Sequence, residues 1–296
     1  MRVLILGGGG PLGAFSAGAL RALEEIDWRP EAFIGSSAGG INLLRSLVGG
    51  AEAAADFWRS LDWKTLLWEG VRHNVWSRGL LDPEAFHARV DAGVDYEALW
   101  RDRRAVGFIV VSLATGKVSV RGNRTEASAE ALRTMAHASY SLPPLLPPVE
   151  SSGELLADGG LLQNAPLEAA LKAGATEIVY LCNVQALPRE GPSPRSTLSA
   201  TARYAEIFFR RASNVGFADA ELVEGKFRGV PFLTIAPSPT INLGSPFRWL
   251  FPTRSSMTRL IETGYERARS AIHQSPWVTG RAPPPEQTVR HAPPSG

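Results

Sequence analysis

Apolar and polar positions alternate along this chain in two registers, short unbroken apolar runs and longer stretches with a helical stripe. Val3–Leu6 is an apolar, β-branched run closed by glycine, the pattern of a strand buried on both faces of a parallel sheet. Gly13–Glu25 follows, with Ala14, Ala17, Gly18, Leu20 and Leu23 forming a stripe whose small residues permit close packing. Ala32–Ile34 repeats the strand pattern and ends at Gly35. Ala38–Leu47 repeats the helical one and is stopped by Gly49 and Gly50. Strand, turn and helix, twice in succession, predict an α/β layered fold built on a parallel sheet.

The same reading continues downstream. Ala105–Ser112 predicts a strand, paired with Lys117–Arg121 through a turn at Ala114–Gly116. Glu126–Ala138 is helical, and Leu142–Val149, with four prolines, is loop. Glu154–Ala157 is a short strand that ends at Asp158, Gly159 and Gly160. Pro166–Ala173 is a helix with proline in its first turn. Glu177–Cys182 and Phe232–Ile235 are strands, 197–217 an amphipathic helix and Thr253–His273 a long final helix. Residues 51–100 are irregularly helical and carry Trp58, Trp63, Trp68, Trp76 and Trp100. The proline-rich tail has few apolar residues, so one domain is expected over 1–275 and disorder over 276–296.

Composition narrows the function classes. The 296 residues are 44% hydrophobic, enough for the core of a single large domain. A net charge of +2, from 31 basic and 29 acidic residues, lacks the basic excess of a nucleic-acid binder. The single cysteine, Cys182, excludes an intramolecular disulfide and sits in an apolar run, as a buried inert thiol in a cytoplasmic protein would. The apolar start Val3–Leu6 is shorter than a signal-peptide core. No run approaches the ~18 apolar residues of a membrane span. A soluble protein is expected, at most peripheral at a membrane. Nothing in the sequence implies a cofactor, and no Asp/Glu/His cluster has metal-ligand spacing.

Three motifs carry chemistry. Gly35-Ser36-Ser37-Ala38-Gly39 matches G-x-S-x-G between a strand and a helix. A serine in such a turn projects its hydroxyl from the sheet's carboxyl edge, with Gly35 and Gly39 allowing the tight backbone and the helix N-terminus favouring an anion. Ser37 holds the central position, with Ser36 as a rival nucleophile. Gly7–Gly10 and Gly13 form a glycine loop between the first strand and first helix. A dinucleotide reading of G-x-G-x-x-G requires an acid at the end of the second strand, where Gly35, Ser36 and Ser37 stand instead. The competing reading makes the loop amides, of Gly8, Gly9 and Gly10, an oxyanion hole. Asp158-Gly159-Gly160 follows a strand, so its carboxylate is a candidate base on the same edge as Ser37. A histidine triad competes, but His73, His87, His137, His273 and His291 lie in no motif that places them at a sheet edge.

Taken together, the motifs resemble those of the patatin-like phospholipases, a family of lipid acyl hydrolases. The resemblance spans roughly residues 3–270. It rests on Gly8–Gly13 with the helix start Ala14–Leu20, on Gly35–Gly39 with Asn42, and on Ala138 and Ser139 with Pro143 and Pro147. Asp158–Gly160 with Asn164 and Pro166, and the helix at Leu260–Ala268, complete it. It implies a three-layer α/β fold with a mostly parallel central sheet flanked by helices. It also implies a Ser37–Asp158 dyad without histidine, an oxyanion hole on the glycine loop, and hydrolysis of lipid or small acyl esters without metal. Acyl transfer at the same site is the alternative reaction. The family usually has Arg or Lys where Leu12 stands, beside Pro11, which has no N–H. A catalytically impaired lipid-binding protein is therefore the non-enzymatic alternative. The tryptophans of 58–76 and the run 246–252, with Phe247, Trp249, Leu250 and Phe251, are candidate lid or membrane contacts, although most of the tryptophans are expected in the core.

Overall fold

The computed structural model describes residues 1–62, 64–66, 68, 79–184, 193, 196, 197, 200, 203, 207, 222, 223, 225–238 and 252–279. Most of the expected helix over 197–217, the run 246–251, Trp63, Trp76 and residues 280–296 lie outside them.

The expected first βαβα succession is present as β1 (Arg2–Leu6), α1 (Gly13–Glu25), β2 (Ala32–Gly35) and α2 (Ala38–Ser60). It continues through α3 (Pro83–Asp91), α4 (Tyr96–Trp100), β3 (Ala105–Ser112), β4 (Val118–Gly122), α5 (Ala129–Ala138), β5 (Val149–Ser151) and β6 (Glu154–Asp158). Then come α6 (Leu167–Lys172), β7 (Glu177–Leu181), β8 (Leu222–Val223), β9 (Lys226–Phe227), β10 (Val230–Ile235), α7 (Arg254–His273) and α8 (Pro276–Thr279), whose Val278 is buried.

Among the described residues the strands form one ten-stranded sheet. Its centre is parallel, with β1 between β2 and β7, β10 beyond β7 and β3 beyond β2. Side chains of a strand alternate between faces, and β1 shows what each face meets. Leu4 and Leu6 join the large core made with α1, α2 and α7, whereas Val3 and Ile5 join a second core with Leu167 and Ala170 of α6. Helices thus cover both faces, which makes three layers and explains why the central strands read as continuous apolar runs.

The long strand β3 brings two other strand ends together. Gly107 and Phe108 pair with β2 on one side and β4 on the other. Val110 and Val111 pair with β4 and with β6. The strands β2 and β6 therefore share the same flank of β3, one parallel and one antiparallel. Gly35 ends β2 opposite Phe108, and Asp158 ends β6 opposite Val110. The carboxyl ends of β2 and β6 thus meet end to end.

Two local features differ from the sequence expectation. The helix that should stop at Gly49 resumes after a break, with non-helical backbone at Gly49 (φ −158°) and Gly50 (φ 71°). The Glu24 carboxylate accepts the Ala51 N–H at 2.8 Å and so caps the restarted segment. Val149, where the expected loop ended, instead begins β5, and Val149–Ser151 pairs with β6 across the two-residue turn Ser152-Gly153, both at positive φ (53° and 79°), as a tight hairpin needs.

The small-residue stripe of α1 meets α7. A Cβ on Gly18 would stand 1.8 Å from the Ile261 carbonyl oxygen, and one on Gly264 would stand 1.9 Å from the Phe15 carbonyl oxygen. The two helices pack backbone to backbone at these reciprocal positions.

Candidate active site

Ser37 follows β2 and caps α2 with φ 51° and ψ −129°, a region non-glycine residues rarely adopt. The surroundings enforce it. The Ser37 N–H donates to the Ser139 carbonyl at 2.7 Å, and the Gly39 N–H donates to Ser36 O at 2.7 Å. A Cβ on Gly39 would lie 2.0 Å from the Leu6 carbonyl oxygen, so only glycine lets the elbow seat against β1. The turn leaves Ser37 partly exposed. Ser36 is fully buried, with its hydroxyl donating to Asn164 Oδ1 at 2.9 Å.

Asp158 reaches the same place from the other direction, at the end of β6. Its backbone N–H donates to Ser141 O at 3.0 Å, so the strap Ser139–Ser141 holds the backbones of Ser37 and Asp158 alike. The carboxylate is 5% exposed and accepts the Gly160 N–H at 2.8 Å. Burial pushes its pKa from 3.8 to about 7. The Gly160 bond and the nearby Ser37 hydroxyl favour the charged form but do not offset the desolvation.

The glycine loop lies beside this pair. A Cβ on Gly8 would stand 2.9 Å from Ser37 Cβ. The Gly8 N–H, one of the three expected oxyanion donors, donates to Asn164 Oδ1 at 2.5 Å. Gly9 (φ 149°) and Gly10 (φ 55°) are partly exposed, and nothing among the described residues accepts from their amides. Leu12 turns inward and is buried in the core, so its apolar side chain does not line the loop's exposed edge. Gly13 is pressed against Trp58 and Ala38, where its Cβ would lie 2.4 Å and 2.7 Å away. Gly35 packs on Gly40, Gly159 on Val110 and Gly160 on the Ser36 hydroxyl.

Of the histidines, His87 and His137 stack at 4.0 Å, and His137 Nε2 bonds Asp91 at 2.9 Å. No hydrogen bond joins either to Ser37 or Asp158. His273 ends α7, and His73 and His291 lie outside the described residues. Trp58 is core, 1% exposed, whereas Trp68 is 67% exposed. No group of three or more metal-ligating side chains occurs among the described residues, and no described helix is long and apolar enough to cross a membrane.

Sequence reasoning passed over the strap carbonyls of Ser139 and Ser141 and the role of Asn183. The Asn183 Nδ2 donates to Gly7 O at 2.7 Å. Its position just after β7, on the carboxyl edge of a parallel sheet, was the available clue.

The chain has relatives among known proteins. A family model described as patatin-like phospholipase matches residues 4–171. A patatin-like phospholipase domain-containing protein of Caenorhabditis elegans is 29% identical over 196 residues, covering 61% of this chain and 13% of that protein. Lysophospholipase NTE1 of Cryptococcus neoformans is 30% identical over 188 residues, covering 60% of this chain and 11% of its own. The chain therefore matches only a small part of these two relatives' length. VipD from Legionella pneumophila shares the fold, with a TM-score of 0.53 at 14% identity over 93% of this chain and 67% of its own.

Proposed function

The chain belongs to the patatin-like phospholipase family, and from that premise we propose that it hydrolyses carboxylic esters of lipids with Ser37 as nucleophile and Asp158 as general base. The observation that carries this reading is the buried Asp158 carboxyl, raised to about 7, beside a serine held in a strained elbow. A base works best when its pKa lies near the working pH, because it is then both largely ionised and basic enough to take a proton. An ordinary aspartate near 3.9 is too weak a base for a serine hydroxyl.

In this reading Asp158 takes the Ser37 proton as Oγ attacks the ester carbonyl. The carbonyl oxygen becomes an oxyanion, which the Gly9 and Gly10 amides receive near the N-terminus of α2. The tetrahedral centre collapses, the C–O bond to the alcohol breaks, and Asp158 returns the proton to the departing alkoxide. The acyl group stays on Ser37. Asp158 then takes a proton from water as its oxygen attacks the acyl carbon, and the proton passes to Ser37 Oγ as the fatty acid leaves.

A fluorophosphonate probe tests the assignment directly. The expected result is one adduct, mapped by peptide mass spectrometry to Ser37 and not Ser36, together with fatty acid release from phospholipid vesicles. Folded protein that labels elsewhere, or not at all, would overturn it. Added alcohol acceptors in the same assay divide hydrolysis from acyl transfer.

The acid–base role has its own signature. Free enzyme with Asp158 protonated lacks its base, so kcat/KM should rise with pH and reach half its plateau near pH 7. A half-point near pH 4 would show a carboxylate of ordinary strength.

A further inference from the structure

Buried asparagine side chains hold the glycine loop at both ends and leave the amides in its middle without an acceptor among the described residues. The Asn183 Nδ2 donates to Gly7 O at 2.7 Å. The Asn164 Oδ1 accepts the Gly8 N–H at 2.5 Å. The Asn42 Nδ2 donates to Gly13 O at 2.8 Å. The three residues are 0% to 1% exposed. Between the clamped ends, Gly9 and Gly10 keep amides that meet no acceptor among the described residues.

The anchors are not scattered. Asn42 lies in α2, the helix that Ser37 caps, and Asn164 lies on the segment that leaves Asp158. Asn183 follows β7, the strand paired with β1, from which the loop departs. Each anchor therefore fixes the loop to an element already placed relative to the nucleophile or the base. The amide group suits the task because it offers a donor and an acceptor at once. Asn183 receives the Ser16 N–H at 3.2 Å and the Ser16 hydroxyl at 2.6 Å on Oδ1 while donating to the loop. Asn42 receives Trp58 Nε1 at 2.7 Å on its own Oδ1. Asn164 receives the Ser36 hydroxyl, yet its buried Nδ2 has no partner among the described residues, a penalty that an apolar side chain would avoid. Leu12 brings no charge to the loop. Its aim must come from neutral hydrogen bonds.

We propose that Asn42, Asn164 and Asn183 are positioning residues that hold Gly9 and Gly10 in the shape that receives the oxyanion. The proposal rests on the hydrolase reading above. Donors fixed in advance stabilise the transition state without reorganising when charge develops, and they add little to ground-state binding.

Asn183→Asp is the sharpest test. It is nearly isosteric, keeps an oxygen for Ser16 and replaces the donor to Gly7 O. Asn42→Asp does the same at Gly13 O. The probe is an alkyl trifluoromethyl ketone, which takes up the serine oxygen and forms a stable tetrahedral oxyanion. In each variant kcat should fall about 10- to 100-fold, with KM within about threefold of native. The ketone's inhibition constant should weaken by the same factor as kcat. Circular dichroism should show an unchanged fold. A merely structural residue would lower the melting temperature without separating kcat from KM. Folded variants with unchanged kcat and ketone affinity would overturn the proposal. Should Asn183→Asp not fold, Asn183→Ser keeps a shorter donor, and failure of that variant to fold would also overturn it. Native protein that neither hydrolyses esters nor binds the ketone would instead refute the hydrolase reading.

Discussion

Asp158→Asn is expected to lose activity and gain stability in one substitution. The amide cannot take the Ser37 proton, so kcat/KM for a lipid ester should fall by about 10⁴-fold or more, as should that of Ser37→Ala. Stability should move the other way. The native carboxyl has its pKa raised from 3.8 to about 7 by burial, so the folded state holds its proton more tightly than the unfolded chain does. A raised acid contributes stability that is complete below its unfolded pKa and is lost as pH rises through the folded one. Above pH 7 the native fold therefore carries a buried charge at a penalty of about 4 kcal/mol. Asparagine removes that penalty. In urea unfolding, Asp158→Asn should be the more stable protein at pH 8, and its advantage should shrink toward zero by pH 4. A gap independent of pH would mean that Asp158 titrates as an ordinary surface carboxyl. Ser37→Ala keeps the carboxyl and should retain most of the native pH dependence.

Gly264→Ala is expected to cost about 4 kcal/mol or more, a large share of the total stability of a single domain. Its new methyl would lie 1.9 Å from the Phe15 carbonyl oxygen, and backbone cannot yield as a flexible side chain does. Relief requires α7 to lift from α1, which opens the large core on that face of the sheet. Gly116→Ala is the control. Gly116 has a positive φ of 70°, but its Cβ would meet nothing within 4 Å. Only conformational strain remains there, about 1 kcal/mol. Equal losses in the two variants, measured by urea unfolding, would contradict the backbone-contact account.

Much of this architecture is legible in the sequence because its central strands are buried on both faces. Val3–Leu6 and Ala105–Ser112 read as unbroken apolar runs, and the glycines after Leu6 and Ile34 mark where helices begin. The elbow at Gly35–Gly39 is legible for a simpler reason, since its chemistry sits in five consecutive residues. What escapes is non-local. Gly8 and Asn164 are 156 residues apart, so nothing near the loop reveals that the Gly8 amide is engaged while those of Gly9 and Gly10 meet no acceptor among the described residues. The restart of α2 depends on Glu24 of α1, and the direction of β6 depends on the hairpin at Ser152-Gly153. In the sequence Glu154–Ala157 reads as one more strand. Only pairing shows that it runs against β3 and stops where β2 stops.

That end-to-end meeting of β2 and β6 should make the shared edge a late event in the folding of the chain. Each half is set by a strand on the same flank of β3, and β3 lies between them in sequence. Neither half is anchored until both long connections have closed, and closing long loops slows folding. Helical signal should thus return early when denatured protein is diluted into buffer, with the proposed ester hydrolysis lagging behind it. If Ser37 and Asp158 act together as proposed, their activity would then serve as a built-in reporter of completed assembly, silent in every partly folded form.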